Sequence, residues 1–175
     1  MACGMSFSVS AVSPDGNNQY PIVVEYDSDH NGTAETTVTV YLNADGSYNT
    51  GSFDGDGNPI TAKYSQPGSH TIENVTAATA FDALFATGQI NSFGEVQYLD
   101  PSTWAPTGIY GIAINTFCGQ SGYSVPVGNK TRYFYWDLEI KDDASSTYSH
   151  AMNYATNYLA SNIKAVKLTF THMDY

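Results

Sequence analysis

Apolar and polar residues alternate with a period of two along much of the first half of the chain. The alternation is regular at residues 7–11, 22–26 and 37–42 and weaker at 48–53. Successive side chains of a β-strand point to opposite faces, so each run predicts a strand with one buried face. Residues 22–26 and 37–42 flank a short acidic loop, and together they predict a β-hairpin.

The second half contains four further runs that predict strands. They lie at 95–99, 109–118, 132–141 and 165–173. The clearest is 132–141, where apolar residues alternate with tyrosines and charged residues. This pattern predicts one face in the core and one face in contact with water or a partner. The glycine-rich stretch 119–129 predicts a loop.

Two segments change to helical spacing and complete the predicted fold. Residues 76–88 end at Gly88, a residue suited to terminate a helix, and residues 146–162 carry a similar apolar stripe. No repeat or linker divides the chain, so residues 1–175 are predicted to form a single β-rich domain. We expect a mainly β fold, an antiparallel sandwich or a partly closed barrel with two helices at about 76–88 and 146–162. The final strand–helix–strand unit would also allow one parallel strand in a mixed sheet.

Charges are scarce, and nearly all cations come late in the sequence. Charged residues make up 13% of the chain and the formal charge is −11, whereas an average domain is about 25% charged. Lys63 is the only lysine or arginine in residues 1–129. A basic face cannot be assembled from this composition, so neither nucleic acid nor an anionic membrane is expected as a partner.

The sequence offers few indications of where in or outside the cell the protein works. No signal peptide is visible, and no apolar run approaches the roughly 20 residues of a transmembrane helix. Cys3 and Cys118 allow one disulfide, with two buried thiols as the alternative. Because neutral polar residues must cover most of the surface, a virion or extracellular location is expected.

The acidic loop of the predicted hairpin has the spacing of a calcium site. Side-chain oxygens stand at Asp27, Asp29, Asn31 and Glu35, a glycine occupies the sixth position, and Thr33 at the seventh would contribute its backbone carbonyl. Ca²⁺ takes about six to eight oxygen ligands, which such a loop supplies. Position 12 is a valine and the flanks are strands, so the loop departs from the EF-hand and resembles the calcium loops of β-rich proteins. The alternative is a plain turn in which Asp and Asn accept backbone hydrogen bonds.

A second loop repeats part of this spacing. Residues 54–58 again alternate Asp and Asn with other residues. Pro59 replaces the glycine, however, and Ala62 replaces the final carboxylate. A turn is therefore expected there in preference to a metal site.

The outer face of 132–141 carries a second candidate site. Tyr133, Tyr135, Asp137 and Glu139 point the same way, with the two carboxylates about 7 Å apart by strand rise. Carboxylate pairs beside aromatic rings occur in glycoside hydrolases, and Tyr133 and Tyr135 alone would suit stacking on a sugar. Ordinary sheet surface or a subunit contact is the alternative.

Catalytic motifs are missing from the sequence. The four histidines, His30, His70, His150 and His172, are far apart, and no zinc-protease, serine-hydrolase or phosphate-binding motif occurs. The protein is therefore expected not to be an enzyme. A hydrolase without a visible motif is kept as a third alternative.

Taken together, these features favour a structural assembly protein. Fourteen tyrosines suit contact with proteins or carbohydrates. We expect a component of a symmetric particle or tube that binds copies of itself and other subunits, such as a bacteriophage capsid, decoration or tail protein. A strongly acidic surface would also let DNA slide past without adhering. The alternative is an extracellular carbohydrate-binding module stabilised by Ca²⁺, which would be its one cofactor.

Overall fold

The computed structural model describes residues 18–64, 75–98 and 111–175. Strands account for 55% of them and helical turns for 10%, so the expected mainly β fold is confirmed. The strand predicted at 7–11 and Cys3 lie outside the described residues. No helix in the described ranges is long and apolar enough to cross a membrane.

Eleven strands and one α-helix make up the described part of the chain. They form one sheet of six strands, one of three and one of two. The described residues form no closed barrel. In chain order the elements are β1 (Gln19–Tyr26), β2 (Thr36–Asn43), β3 (Ser47–Phe53), β4 (Pro59–Lys63), α1 (Ala77–Ala86), β5 (Phe93–Tyr98), β6 (Gly111–Phe117), β7 (Gln120–Ser121), β8 (Tyr123–Val127), β9 (Lys130–Asp142), β10 (Ser149–His150) and β11 (Ile163–Asp174).

The main sheet is mixed: its strand pairs are antiparallel except for one parallel pair at the final strand, an arrangement that the sequence left open as an alternative. Its order is β10–β9–β11–β1–β2, with β8 also paired to β9. The predicted hairpin of β1 and β2 is present, but β11 runs parallel to β1, with Val24 opposite Val166. Both of these residues are fully buried, and Val23 and Ala165 are nearly so on the other face. The parallel pair therefore lies in the covered centre of the sheet, where parallel strands normally occur.

Aromatic rings join the main sheet to α1 and to the three-stranded sheet of β5, β6 and β7. The Phe117 ring of β6 lies 5.4 Å from both Tyr26 and Trp136, and 5.7 Å from Phe81 of α1, measured between centroids. Phe81 and Phe117 are fully buried. The helix predicted at 76–88 is confirmed, and it ends as expected before Gly88, which has a φ of +71°.

The second helix, predicted at 146–162, is wrong. This segment contains the short strand β10 and a 3₁₀ turn at Ala155–Asn157. Ser149 and His150 take an extended conformation because they pair with the edge of β9. Met152, a member of the supposed apolar stripe, is 85% exposed. Strand pairing thus overrides a weak helical pattern made partly of residues with low helix propensity.

The loop predicted at 119–129 is also wrong, because it contains β7 and β8. Strand β8 pairs with β9 from Tyr123 opposite Phe134 to Val127 opposite Lys130. Alternation within β8 is obscured in the sequence by a proline and by flanking glycines. The tight connection to β8 explains Gly122, where a Cβ atom would lie 3.1 Å from the Phe134 carbonyl oxygen.

Candidate functional site

Asp27 fixes the loop between β1 and β2 to the main sheet. Its carboxylate is fully buried and accepts hydrogen bonds from the backbone amides of Asn31 at 3.0 Å, Gly32 at 2.7 Å and Phe170 at 3.3 Å. The first two bonds close the turn, and the third ties it to β11. Gly32 takes a φ of +87°, a left-handed conformation that glycine adopts without strain.

Three further polar side chains of this loop also accept hydrogen bonds from the backbone. Asp29 accepts from the Asn31 amide at 3.2 Å, and the Asn31 side chain accepts from the Thr33 amide at 2.9 Å. Glu35 accepts from the amide of Ser28 at 2.8 Å and from its hydroxyl. Asp and Asn side chains in turns commonly satisfy the backbone in this way.

Three of the five predicted calcium ligands converge in space. One carboxylate oxygen each from Asp27, Asp29 and Glu35 lies within 4.8 Å of the other two. Asn31 and Thr33 take part in the turn through the hydrogen bonds described above. The loop therefore has the hydrogen bonds of a turn in which Asp and Asn accept from the backbone. Binding of Ca²⁺ at the three carboxylates stays a prediction.

His30 attaches the tip of the same loop to the aromatic core. Its Nε2 atom lies 3.1 Å from the carbonyl oxygen of Cys118, and its ring lies edge-on to Trp136 at 5.8 Å and to Phe170 at 5.9 Å. Burial, followed by the charges of nearby acidic residues, raises the pKa of the Cys118 thiol to about 11. A thiol that stays protonated at neutral pH is a poor nucleophile.

A cleft of about 390 Å³ opens beside the second candidate site. Its walls are β6 at Ala113 and Ile114, β9 at residues 135–138, and the segment 150–155. A smaller cavity of about 120 Å³ adjoins it, since Tyr135 and Trp136 line both. The cleft places aromatic, carboxylate and imidazole groups around one volume.

The four predicted residues of β9 divide between this cleft and the sheet surface. Tyr133 lines the smaller cavity, and its ring is parallel to that of Tyr135, with 4° between planes and 5.8 Å between centroids. Asp137 faces the cleft and lies 2.9 Å from Nδ1 of His150. Glu139 forms an ion pair with a lysine of β11 at 2.5 Å. The two carboxylates therefore have separate partners, which disfavours a catalytic pair.

A third feature is the hairpin of β3 and β4, which extends into solvent. Every residue from 51 to 61 is exposed, including Phe53 at 64% and Ile60 at 43%. The hairpin is held at its base by Tyr48, whose side chain is buried and donates a hydrogen bond to Asp82 of α1. Beyond this base it is a two-stranded ribbon with large apolar side chains in water.

No family model, curated protein or solved structure matches this chain.

Sequence reasoning missed the exposed hairpin and the role of His150 in the cleft. The exposure of the hairpin could have been predicted from the sequence, because Asn49–Ser52 lacks the apolar alternation of a strand with a buried face. The role of His150 could not have been predicted, because its position beside Asp137 depends on the pairing of β10 with β9.

Proposed function

We propose that the protein is a non-enzymatic structural subunit that assembles with copies of itself and with other subunits into a symmetric particle or tube. The observation that carries this proposal is the projecting β3–β4 hairpin with Phe53 and Ile60 exposed. An isolated two-stranded ribbon is only marginally stable in water. A neighbouring subunit that covers these side chains would bury apolar surface and stabilise the ribbon.

The edge of the main sheet supports the same function. Strand β2 ends the sheet order and, within the described ranges, pairs on one side only. Its sequence, Thr36–Asn43, contains neither a charge nor a proline, the residues that commonly protect an edge from pairing. We place this edge and the hairpin on a sandwich-like body, formed by the main sheet and the β5–β6–β7 sheet around Phe117.

Among such assemblies, a bacteriophage capsid, decoration or tail component fits the charge of the chain. Its net charge of −11 repels nucleic acid. A subunit of this charge would suit a shell that encloses DNA or a conduit that releases it.

Light scattering and electron microscopy test the assembly. The expected result is a molar mass well above the 18.9 kDa of one chain, with rings, shells or tubes on the grid. A double variant, Phe53→Ser with Ile60→Thr, is expected to reduce the mass to that of the monomer. Phe85→Ser is the matched control, because Phe85 is 46% exposed but lies on α1. A wild-type protein that stays monomeric at tens of micromolar and forms no particles would contradict the proposal.

A calcium-stabilised carbohydrate-binding module is the second candidate. It is favoured by the cleft beside Tyr133 and Tyr135 and by the convergence of Asp27, Asp29 and Glu35. In such a module Ca²⁺ would stiffen the loop between β1 and β2. Sugars would bind at the cleft.

Thermal melts in EDTA and in millimolar CaCl₂ test the calcium part. An ion that binds only the folded chain adds about 2.7 kcal/mol when present at a hundred times its Kd. Asp29→Asn removes one exposed candidate ligand and is expected to reduce the increase in melting temperature. Asp56→Asn, in the similar loop of the β3–β4 hairpin, is expected to leave that increase unchanged. Superimposable wild-type melts in the two buffers would exclude the calcium site.

A further inference from the structure

Two short strands, β8 and β10, pair with different parts of the same edge of β9, and a gap separates them. Strand β8 pairs with β9 as far as Phe134, and β10 begins to pair at Glu139. Over residues 135–138, no strand of the described part pairs with this edge. The cleft opens at this gap.

The backbone N–H and C=O groups of Trp136 point into the gap. Its neighbour on β11, Phe170, directs its own amide away from β9 to Asp27, so the two residues form a non-hydrogen-bonded pair of the ladder. Two residues further along β9, the Leu138 carbonyl accepts a hydrogen bond at 2.8 Å from Ala151 on the cleft side. Alternate residues direct their polar groups to the same edge, so Trp136 offers the cleft one donor and one acceptor.

Side chains around the gap add flat apolar surface and hydrogen-bonding groups. Tyr135 presents an aromatic ring beside the parallel ring of Tyr133. The Asp137 side chain is 21% exposed and is paired with His150. No lysine or arginine is among the described residues that line either cavity.

We infer that this cleft binds one or two units of a neutral saccharide, an inference that rests on the second of the proposed functions. The apolar face of a pyranose packs against Tyr135. Two neighbouring hydroxyl groups match the Trp136 backbone, one donating to the carbonyl and one accepting from the amide. Asp137 and His150 bind further hydroxyls. The volume of about 390 Å³ lies within the range of about 300–1,000 Å³ found for small-molecule sites.

The same features disfavour two other ligand classes. A peptide that extends a sheet uses several consecutive backbone pairs, whereas along residues 135–138 only Trp136 directs a backbone pair to this edge without a partner among the described residues, because the carbonyl of Leu138 already accepts from Ala151. An acidic sugar would meet the carboxylate of Asp137, and no lysine or arginine is among the described residues that line the cleft.

Backbone amide NMR on the full chain tests the site directly. The probes are maltotriose, cellotriose and tri-N-acetylchitotriose as neutral sugars, trigalacturonic acid as an acidic sugar, and a blocked tetra-alanine peptide. We expect saturable shifts of the Trp136 and Asp137 amides with at least one neutral trisaccharide. Trigalacturonic acid is expected to bind at least about tenfold more weakly, and the peptide is expected to cause no saturable shift.

Two tyrosine variants complete the test. Tyr135→Ala is expected to weaken neutral-sugar binding by at least about tenfold, whereas Tyr41→Ala, which alters a 52% exposed tyrosine on β2, leaves it unchanged. Saturable peptide binding, or sugar binding unaffected by Tyr135→Ala, would overturn the inference. A glycan array separates the remaining outcomes: a bound sugar that does not shift Trp136 refutes the cleft alone. An array without any hit refutes the carbohydrate function as well.

Discussion

Two hairpins of this molecule have similar loops and opposite environments. In the first, between β1 and β2, Asp27 is fully buried and binds the backbone of β11 as well as its own turn. In the second, between β3 and β4, Asp54 is exposed and binds only its own turn, at the amides of Asp56 and Asn58. Loop sequences of the same kind thus form a core element in one hairpin and a projection in the other.

The difference lies in the strands. Strands β1 and β2 bury apolar residues at alternate positions, including Ile22, Val24 and Leu42, which have no exposed surface. Strand β3 buries only its first two residues, Ser47 and Tyr48, before a run of polar residues. Asp, Asn and Gly therefore determine that a turn forms, and apolar alternation in the flanking strands determines whether the hairpin joins the core.

The largest expected effect is on the buried hairpin. Leu42→Ala removes a fully buried side chain and is expected to lower the free energy of unfolding by about 3 kcal/mol. Ile60→Ala, on the exposed hairpin, is expected to lower the free energy of unfolding of the monomer by less than about 1 kcal/mol. Urea denaturation of both variants as monomers measures the difference, and equal losses would show that the two hairpins are equally buried within one chain.

Replacing the aspartate of the buried hairpin loop is also expected to destabilise the protein more than replacing the aspartate of the exposed one. Asp27→Ala leaves three backbone amides without their acceptor, one of them at the centre of the sheet. We expect it to lower the free energy of unfolding by about 2–3 kcal/mol. Asp54→Ala is expected to have a much smaller effect, because water can replace the lost bonds at the exposed tip. Thermal melts compare the two variants. If Asp54→Ala were the more damaging, the exposed position of its hairpin would be in doubt.

A smaller effect is expected on the pH dependence of stability, through Asp82 at the base of the projecting hairpin. Burial raises the pKa of Asp82, and the hydrogen bond from Tyr48 opposes this shift only in part. Because the folded-state pKa is raised, the stability linked to this proton is present below the ordinary pKa of 3.8 and is lost as the pH rises through the raised value. Asp82→Asn is expected to reduce the fall in unfolding free energy between about pH 4 and pH 7, by less than about 1 kcal/mol. Unfolding curves of wild type and variant with the same pH dependence would contradict this assignment.

The sequence indicated the fold where strong local patterns agree with the final packing. Residues 132–141 and the β1–β2 hairpin alternate clearly and form the expected strands, and Gly88 correctly marks the end of α1. The helix predicted at 146–162 was wrong because pairing with β9 overrides the helical spacing of this segment. No local pattern could reveal the parallel pairing of β11 with β1, since it joins the two ends of the described chain.

The candidate sites were predictable to different degrees. Asp27, Asp29 and Glu35 converge because they share one short loop, which their spacing shows directly. The cleft could not be predicted, because its walls come from β6, β9 and the segment at 150–155. The gap on the edge of β9 exists only once β8 and β10 have paired on either side of it.

The most direct test of the proposed function is the molar mass in solution of the wild-type chain and of the Phe53→Ser, Ile60→Thr double variant, measured by light scattering at equal concentration. We expect a large assembly for the wild type and 18.9 kDa for the double variant, with unchanged thermal stability of the monomer. The same molar mass for both proteins, whether monomeric or assembled, would show that the projecting hairpin does not hold the subunits together.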